Sequence, residues 1–229
     1  MRRALAILLL CLAPVLAACG DDEKDSGEAA SNKEVITAPE ESSSSGGCKQ
    51  VDAPQPKEDG GEKKPKGKLD ASKEWGLTVE TNCGSFTIQL DVENAPNTSA
   101  SLVSLAKKGF YDGTTFHRIV PGFVIQGGDP TGTGQGGPGY STVDKPKGAA
   151  SYAKGVVAMA KTGTEPPGTA GSQFFVVTGQ DAGLPPDYAV VGKVTKGLDV
   201  VDKIGQLGDP ATEQPTQPVV ISKVAVEEK

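Results

Sequence analysis

The sequence predicts a mainly β domain, a closed barrel with two helices, over residues 75–229. That region contains many short apolar runs of alternating hydrophobicity separated by turn residues, together with two stretches at helical spacing. Many short strands with few helices favour a barrel over a doubly wound sheet, in which strands and helices would alternate. The region is also long enough to bury a core of its own. A single folded domain is therefore expected there.

The strands and helices follow from pattern and turn chemistry. The first helix begins at Ala95-Pro96-Asn97-Thr98 and ends at Gly109, because proline suits the first helical turn and glycine suits the residue after the last. The second helix is predicted over Gly197–Ile204. The strands are predicted over Leu77–Thr81, Phe86–Leu90, Phe116–Val120, Phe123–Gln126, Gly155–Ala160, Gln173–Thr178, Ala189–Val194 and Pro218–Val226.

The N-terminus predicts an exported lipoprotein. Arg2 and Arg3 precede an apolar run that ends near Leu16, and the run is shorter than the about 20 residues of a transmembrane helix. The run leads into Ala17-Ala18-Cys19, which resembles the end of a bacterial lipobox, where the cysteine carries the lipid. An ordinary secretory signal with a cysteine at its end is the alternative. We expect residues 1–19 to be a lipoprotein signal peptide, with a lipid on Cys19 and an extracytoplasmic location on the outer face of the bacterial cell membrane.

Residues 20–74 predict a disordered polar tether. They contain no aromatic residue and are dense in charged residues, Ser, Gly and Pro, so they cannot bury enough apolar surface to offset their ordering entropy. The tether holds Cys48. Once Cys11 leaves with the signal and Cys19 is lipidated, Cys48 and Cys83 remain. Outside the cytoplasm they form either a disulfide or two exposed thiols.

Several classes of function are disfavoured by composition and motifs. The net charge of −6 gives no basic face for a nucleic acid. The single histidine, His117, has no cluster of ligands at metal-binding spacing, so no metal is expected. A Ser172 hydrolase would need glycine where Phe174 stands. Gly132–Gly137 satisfies a dinucleotide fingerprint, but Pro138 follows at once, and we interpret the stretch as a loop.

The most informative stretch is Phe116-His117-Arg118-Ile119-Val120-Pro121-Gly122-Phe123-Val124-Ile125-Gln126-Gly127-Gly128-Asp129. It places Arg118 and Gln126 on two apolar strands joined by a Pro-Gly turn. A half-buried guanidinium is costly unless it has a partner or a ligand, whereas the commonest arginine lies on the surface. The stretch resembles the active-site segment of cyclophilin-type peptidyl-prolyl isomerases, and Gly171–Thr178 resembles a second segment of that family.

This resemblance, which covers about Leu77 to Val226, implies an eight-stranded antiparallel barrel with a helix at each end. It implies that Arg118 donates to the prolyl amide, that Gln126 orients the guanidinium and that Phe123 holds the proline ring, with no cofactor. It implies substrate-binding roles for a further set of residues: His117, Met159, Ala160, Gln173, Phe175, Leu184 and Tyr188.

The predicted function is isomerisation of X-Pro bonds in exported polypeptides, by a monomer attached to the membrane through its lipid. A non-catalytic module of the same fold that binds Pro-containing segments is the alternative. Two features depart from the family pattern and bear on substrate preference. Lys161 stands where an asparagine is usual, and the loop Thr162–Ala170 is longer than typical.

Overall fold

A computed structural model describes residues 47–147 and 151–229. Both predicted helices are confirmed, as α1 (Pro96–Lys107) and α2 (Leu198–Gly205). The strands are β1 (Trp75–Thr81), β2 (Gly84–Leu90), β3 (Thr114–Thr115), β4 (Arg118–Val120), β5 (Val124–Gly127), β6 (Thr142–Val143), β7 (Val156–Met159), β8 (Thr169–Ala170), β9 (Phe174–Val177), β10 (Val190–Lys196) and β11 (Val220–Glu228). The sequence did not predict the two-residue strands β3, β6 and β8, which are too short to show a period.

Each helix begins where local chemistry favours it. Pro96 occupies the first turn of α1, where its missing N–H costs no hydrogen bond. Gly197 precedes α2 with φ +72°, and a Cβ there would lie 2.3 Å from the carbonyl oxygen of Ser85. Only glycine fits this junction without moving β2. The residue before the second helix therefore lies directly against β2.

The closed eight-stranded barrel is wrong in detail. Nine strands form one curled antiparallel sheet in the order β3-β11-β1-β2-β10-β7-β9-β5-β4, and β6 pairs with β8 alone. The two edge strands, β3 and β4, do not pair with each other. They are separated in the chain by Phe116 and His117 alone, so the chain itself crosses from one edge of the sheet to the other. The core lies inside this curl, with Phe86, Phe116 and Tyr111 among its largest fully buried side chains.

Residues 47–74, here called the arm, were predicted to be disordered, and for them that prediction is wrong. The arm has no helix or strand, but it lies against the domain and hydrogen-bonds to it. Cys48 forms a disulfide with Cys83 at the β1–β2 turn. Composition indicates only whether a segment can build a core of its own. The arm instead uses main-chain bonds and a covalent link to a surface that already exists.

The predicted signal peptide, Cys19 and residues 20–46 of the predicted tether lie outside the described residues. Within the described ranges, no helix has both the length and the apolar character needed to cross a bilayer.

Candidate active site

Strand register brings the side chains of the predicted site into one row. Arg118 of β4 pairs with Gln126 of β5, and Gln126 pairs in turn with Phe175 of β9. Phe175 pairs with Ala158 of β7. Residues paired directly across antiparallel strands point to the same face, with Cβ atoms about 4.5–5.5 Å apart. The row therefore runs across four neighbouring strands.

This row lies on the outer face of the sheet. Strand side chains alternate between faces, and the neighbours Ile125 and Phe174 are buried in the core inside the curl. Phe175 and Val124 belong instead to a second apolar cluster. The site is thus built on the back of a rigid, packed sheet.

An apolar cavity of about 190 Å³ opens on this face. Its walls are mostly apolar or aromatic, and polar side chains stand at its rim. The lining residues are Arg118, Phe123, Val124, Gln126, Ala160, Lys161, Phe175, Leu184 and Tyr188. The structure therefore brings together most of the residues that the sequence predicted for the site.

Met159 is not among them, and the substrate-binding role predicted for it is wrong. It is fully buried and packs in the core cluster, while Ala160, next to it, lines the cavity. Alternation along β7 requires this, because the paired residue Phe174 also points inward. Val124 supplies the missing apolar wall. The sequence held the signal, since Val124 is two residues before Gln126 and so shares its face.

Arg118 is held from two sides at the cavity rim. Its Nε donates to a Glu213 carboxylate oxygen at 2.7 Å, and its Nη1 donates to Oε1 of Gln126 at 3.5 Å. Because the Arg118 side chain is 35% exposed, this ion pair adds little stability, but it fixes the direction of the guanidinium. A guanidinium has five N–H donors, so donors remain for a ligand.

Glu213 was not among the predicted site residues. It has φ +60°, an uncommon conformation for a residue other than glycine, and its main-chain oxygen accepts a bond from Ile119 N at 2.8 Å. Both its backbone and its carboxylate therefore contact β4. No short-range pattern reveals this, because the two contacting segments lie far apart in sequence.

Aromatic packing supports the far wall of the cavity. Tyr188 meets Phe175 edge to face at 5.5 Å between ring centroids. Behind them Tyr152, which the sequence did not predict, accepts a bond from Tyr188 N at 3.1 Å and donates to Tyr188 O at 3.0 Å. Burial raises the pKa of Tyr152, so its hydroxyl stays protonated and able to donate. The wall is consequently rigid.

Lys161 is a structural cation rather than a free one. Its Nζ lies 2.8 Å from the Asp187 carboxylate and 5.5 Å from the centre of the Tyr188 ring, and its side chain is 3% exposed. A buried lysine needs such a partner. It ties the start of the Thr162–Ala170 loop to the loop that carries Tyr188.

A second, polar cavity of about 480 Å³ adjoins the first and shares Gln126, Ala160 and Lys161 with it. It is walled largely by backbone and polar groups. Its other lining residues are Asp59, residues 134–141, Thr162, Glu165 and residues 171–173. The interpretation of Gly132–Gly137 as a loop is confirmed, since the element that follows β5 is the strand β6 and not a helix.

Asp129 organises this glycine-rich loop. Its carboxylate accepts bonds from Thr131 N at 2.7 Å and Gly134 N at 2.5 Å. Burial opposes its charged form, but these hydrogen bonds outweigh burial and hold the pKa of Asp129 below its usual value. A Cβ on Gly136 would lie 2.3 Å from Asp129 Oδ1, so the loop requires glycine there.

Gln173 and His117 occupy different positions relative to the predicted site. Gln173 lines the polar cavity and donates to Gly136 O at 2.9 Å. His117 lies between β3 and β4, half-buried, and lines neither cavity; a Cβ on Gly134 would come within 3.5 Å of its ring. Burial lowers the pKa of His117, which keeps the ring neutral at pH 7. His117 therefore lies beside the glycine-rich loop and outside the apolar cavity.

Among the described residues, no group of three or more His, Cys, Asp or Glu side chains could hold a metal ion. The arrangement offers a small apolar cavity, a rigid aromatic wall, and a guanidinium and an amide at the rim. Such a site can bind an apolar ring and donate hydrogen bonds to a polar bond beside it.

Comparison with known proteins identifies the family of this chain. The family model for cyclophilin-type peptidyl-prolyl cis-trans isomerases matches residues 76–226. A probable peptidyl-prolyl cis-trans isomerase A of Mycobacterium leprae is 38% identical over 167 residues, covering 65% of this chain and 90% of the relative. Peptidyl-prolyl cis-trans isomerase-like 1 of Neurospora crassa is 39% identical over 154 residues, covering 66% and 93%.

Solved structures of cyclophilin-type isomerases also align with this chain. A cyclophilin-type isomerase of Cryptosporidium parvum aligns with TM-score 0.63 and 28% identity, over 68% of this chain and 99% of that one. The same isomerase crystallised in the presence of the dipeptide Ala-Pro aligns with TM-score 0.62 and 29% identity, over 67% and 99%. This chain therefore belongs to the cyclophilin family and is a cyclophilin-type peptidyl-prolyl cis-trans isomerase.

Proposed function

We propose that the apolar cavity holds the proline of an X-Pro bond and that Arg118 accelerates rotation about that bond. The observation that carries the proposal is a guanidinium fixed by Glu213 and Gln126 at the rim of an apolar cavity. Phe123, Val124 and Phe175 hold the ring. Gln126 orients the guanidinium.

The chemistry needs no covalent step. Amide resonance raises the barrier to rotation to about 18–20 kcal/mol, and uncatalysed X-Pro exchange takes tens to hundreds of seconds. In the twisted transition state the prolyl nitrogen regains its lone pair, and the Arg118 guanidinium can donate to it. Interactions made only in the transition state raise the rate. A hundredfold acceleration requires about 2.7 kcal/mol.

A protease-coupled assay of a Pro-containing peptide tests the role of Arg118. We expect Arg118→Ala to lose about 100-fold or more in kcat/KM, in the range found when one transition-state donor is removed. Arg118→Lys should recover little, because an ammonium lacks the planar fork. Lys154→Ala is the matched control, since it breaks an ion pair with Asp202 away from both cavities. Wild-type turnover in a folded Arg118→Ala variant would exclude the Arg118 mechanism.

We further propose that the substrates are exported polypeptides and that the enzyme acts as a monomer held at the outer face of a bacterial membrane by a lipid on Cys19. Two observations support the export and the membrane location. The first 19 residues have the charge and apolar pattern of a lipoprotein signal. The Cys48–Cys83 disulfide suits an oxidising compartment outside the cytoplasm.

Replacement of the proposed lipid carrier tests the location. Cys19→Ser, expressed in an exporting bacterium, should lose labelling by a fatty-acid analogue and move from the membrane to the soluble fraction. Two acyl chains give stable anchoring, and a charged segment alone does not. Cys48→Ser is the control, because it alters a cysteine that follows the signal. Membrane association that persists in Cys19→Ser would contradict the proposal.

A further inference from the structure

The arm lies outside the family match, which begins at residue 76. It nevertheless contacts the glycine-rich loop that lines the polar cavity. Gly60 N donates to Gly137 O at 2.9 Å, and Glu62 N donates to Pro138 O at 3.0 Å. The Asp59 carboxylate accepts a bond from Gly137 N at 2.8 Å and lines the polar cavity. The arm thus holds both the N–H and the carbonyl of Gly137.

The arm is also anchored to the domain away from this loop. Lys57 Nζ donates to the carbonyl oxygens of Phe110 at 2.6 Å and Asp112 at 2.7 Å. Burial lowers the pKa of Lys57, and Asp112 opposes that shift. The Cys48–Cys83 disulfide fixes the start of the arm covalently. The glycine-rich loop is therefore hydrogen-bonded both to the body of the domain and to an anchored segment.

From this loop a chain of side-chain bonds leads to Arg118. The Gly136 carbonyl accepts from Gln173 Nε2 at 2.9 Å. Gln173 Oε1 accepts from Gln126 Nε2 at 3.1 Å. Gln126 Oε1 accepts from Arg118 Nη1 at 3.5 Å.

The direction of this chain is determined by chemistry. Arginine can only donate, so Gln126 must present its oxygen to Arg118 and its NH₂ to Gln173. Gln173 must then present its own NH₂ to an acceptor, and Gly136 O is that acceptor. A displaced Gly136 would leave both glutamine amides without a fixed orientation. The guanidinium would lose one of its two supports.

We propose that the arm is a positioning element of the active site. By holding Gly137 through Asp59 and Gly60, it fixes the Gly136 carbonyl on which the Gln173–Gln126–Arg118 chain ends. Asp59 is the positioning residue that connects the arm to this chain. The inference rests on the proposed role of Arg118.

Kinetics of the full chain with a peptide containing one X-Pro bond test the proposal. Asp59→Ala should lower kcat/KM about 2- to 10-fold, the range expected for one hydrogen bond. The loss should appear in kcat, because Arg118 acts in the transition state. Asp59→Asn keeps the oxygen acceptor and should restore most of the rate. Asp52→Ala is the control. Asp52 is an exposed residue of the same arm, and within the described ranges its carboxylate forms no hydrogen bond or ion pair.

A double-mutant cycle distinguishes loss of the Gln173–Gln126–Arg118 hydrogen-bond chain from a general loss of order in the active site. In a Gln173→Ala background, Asp59→Ala should cause no further loss, because the chain is already broken. An equal loss in both backgrounds, a loss confined to KM, or wild-type kinetics in Asp59→Ala would each overturn the proposal. Arg118→Ala, assayed in parallel, distinguishes the two failures. If it is inactive while Asp59→Ala is normal, only the positioning role fails; if it is fully active, the Arg118 mechanism fails.

Discussion

The apolar cavity and the polar cavity are adjacent but built in different ways. The apolar cavity is built around four side chains that project from paired strands, and strand register fixes their positions: Arg118, Val124, Gln126 and Phe175. Its other lining side chains come from turns and loops beside these strands. The polar cavity is formed mainly by a glycine-rich loop, which is held by hydrogen bonds to Asp129, to Gln173 and to the arm. Packing sets the first cavity, and directional bonds set the second. We therefore expect changes in the first to cost binding and stability together, and changes in the second to adjust rate at little cost in stability.

Truncation of the aromatic wall should have the largest effect. Phe175 is 4% exposed and packs against Tyr188 and Tyr152. Phe175→Ala should lower the free energy of unfolding by about 3–5 kcal/mol, as for other buried phenylalanines, and should also weaken peptide binding. Urea titration and peptide titration measure the two losses.

A matched change in the other cavity sharpens this comparison. Gln135 is exposed at the polar cavity, and Gln135→Ala should change stability by less than about 0.5 kcal/mol. Equal losses of stability in Phe175→Ala and Gln135→Ala would mean that the two cavities do not differ as described.

Removal of the disulfide should separate stability from catalysis. Cys48 and Cys83 are 35 residues apart, so Cys48→Ser with Cys83→Ser should lower the free energy of unfolding by about 2–4 kcal/mol. No residue of the arm lines the apolar cavity, so kcat/KM should fall by several-fold at most. Thermal melting and the coupled assay measure both quantities. A folded double variant with no activity would show that the arm does more than position the loop.

The Glu213 contact should have a moderate effect on rate alone. Glu213→Ala removes the carboxylate that holds Arg118 Nε. We expect a 3- to 10-fold lower kcat/KM, as for loss of one or two hydrogen bonds. The urea midpoint should be nearly unchanged, because a partly exposed ion pair adds little stability. Glu213→Gln keeps an oxygen acceptor and should recover part of the rate. A large loss of stability instead would assign Glu213 to folding rather than to orientation.

The smallest effect concerns pH. Burial lowers the native pKa of His117, and Arg118 lowers it further, while Asp129 opposes them. Between the unfolded value of about 6.5 and the lower native value, the unfolded chain binds the extra proton. Native stability should therefore fall as the pH drops below about 6.5, relative to His117→Gln. Urea midpoints at acidic and neutral pH test this, and a constant difference between the two proteins would contradict it.

Alternation and turn chemistry predicted both helices and the long strands, because these signals are local. They wrongly predicted a closed barrel, because local signals do not determine whether the two edge strands of a sheet pair. The apolar cavity was predictable as a set, and applying alternation strictly would have exchanged Met159 for Val124. Glu213 and the arm were not predictable, because their contacts join residues far apart in sequence and the arm builds no core of its own.

Exchange spectroscopy on a saturating Pro-containing peptide tests the central claim most directly, because it observes rotation on the enzyme apart from binding. Bound wild-type enzyme should interconvert the cis and trans peptide far faster than the tens of seconds of the free peptide. Arg118→Ala should still bind the peptide in the apolar cavity but interconvert it about 100-fold more slowly. Equal interconversion rates in the two bound proteins would show that the cavity, and not Arg118, performs the catalysis.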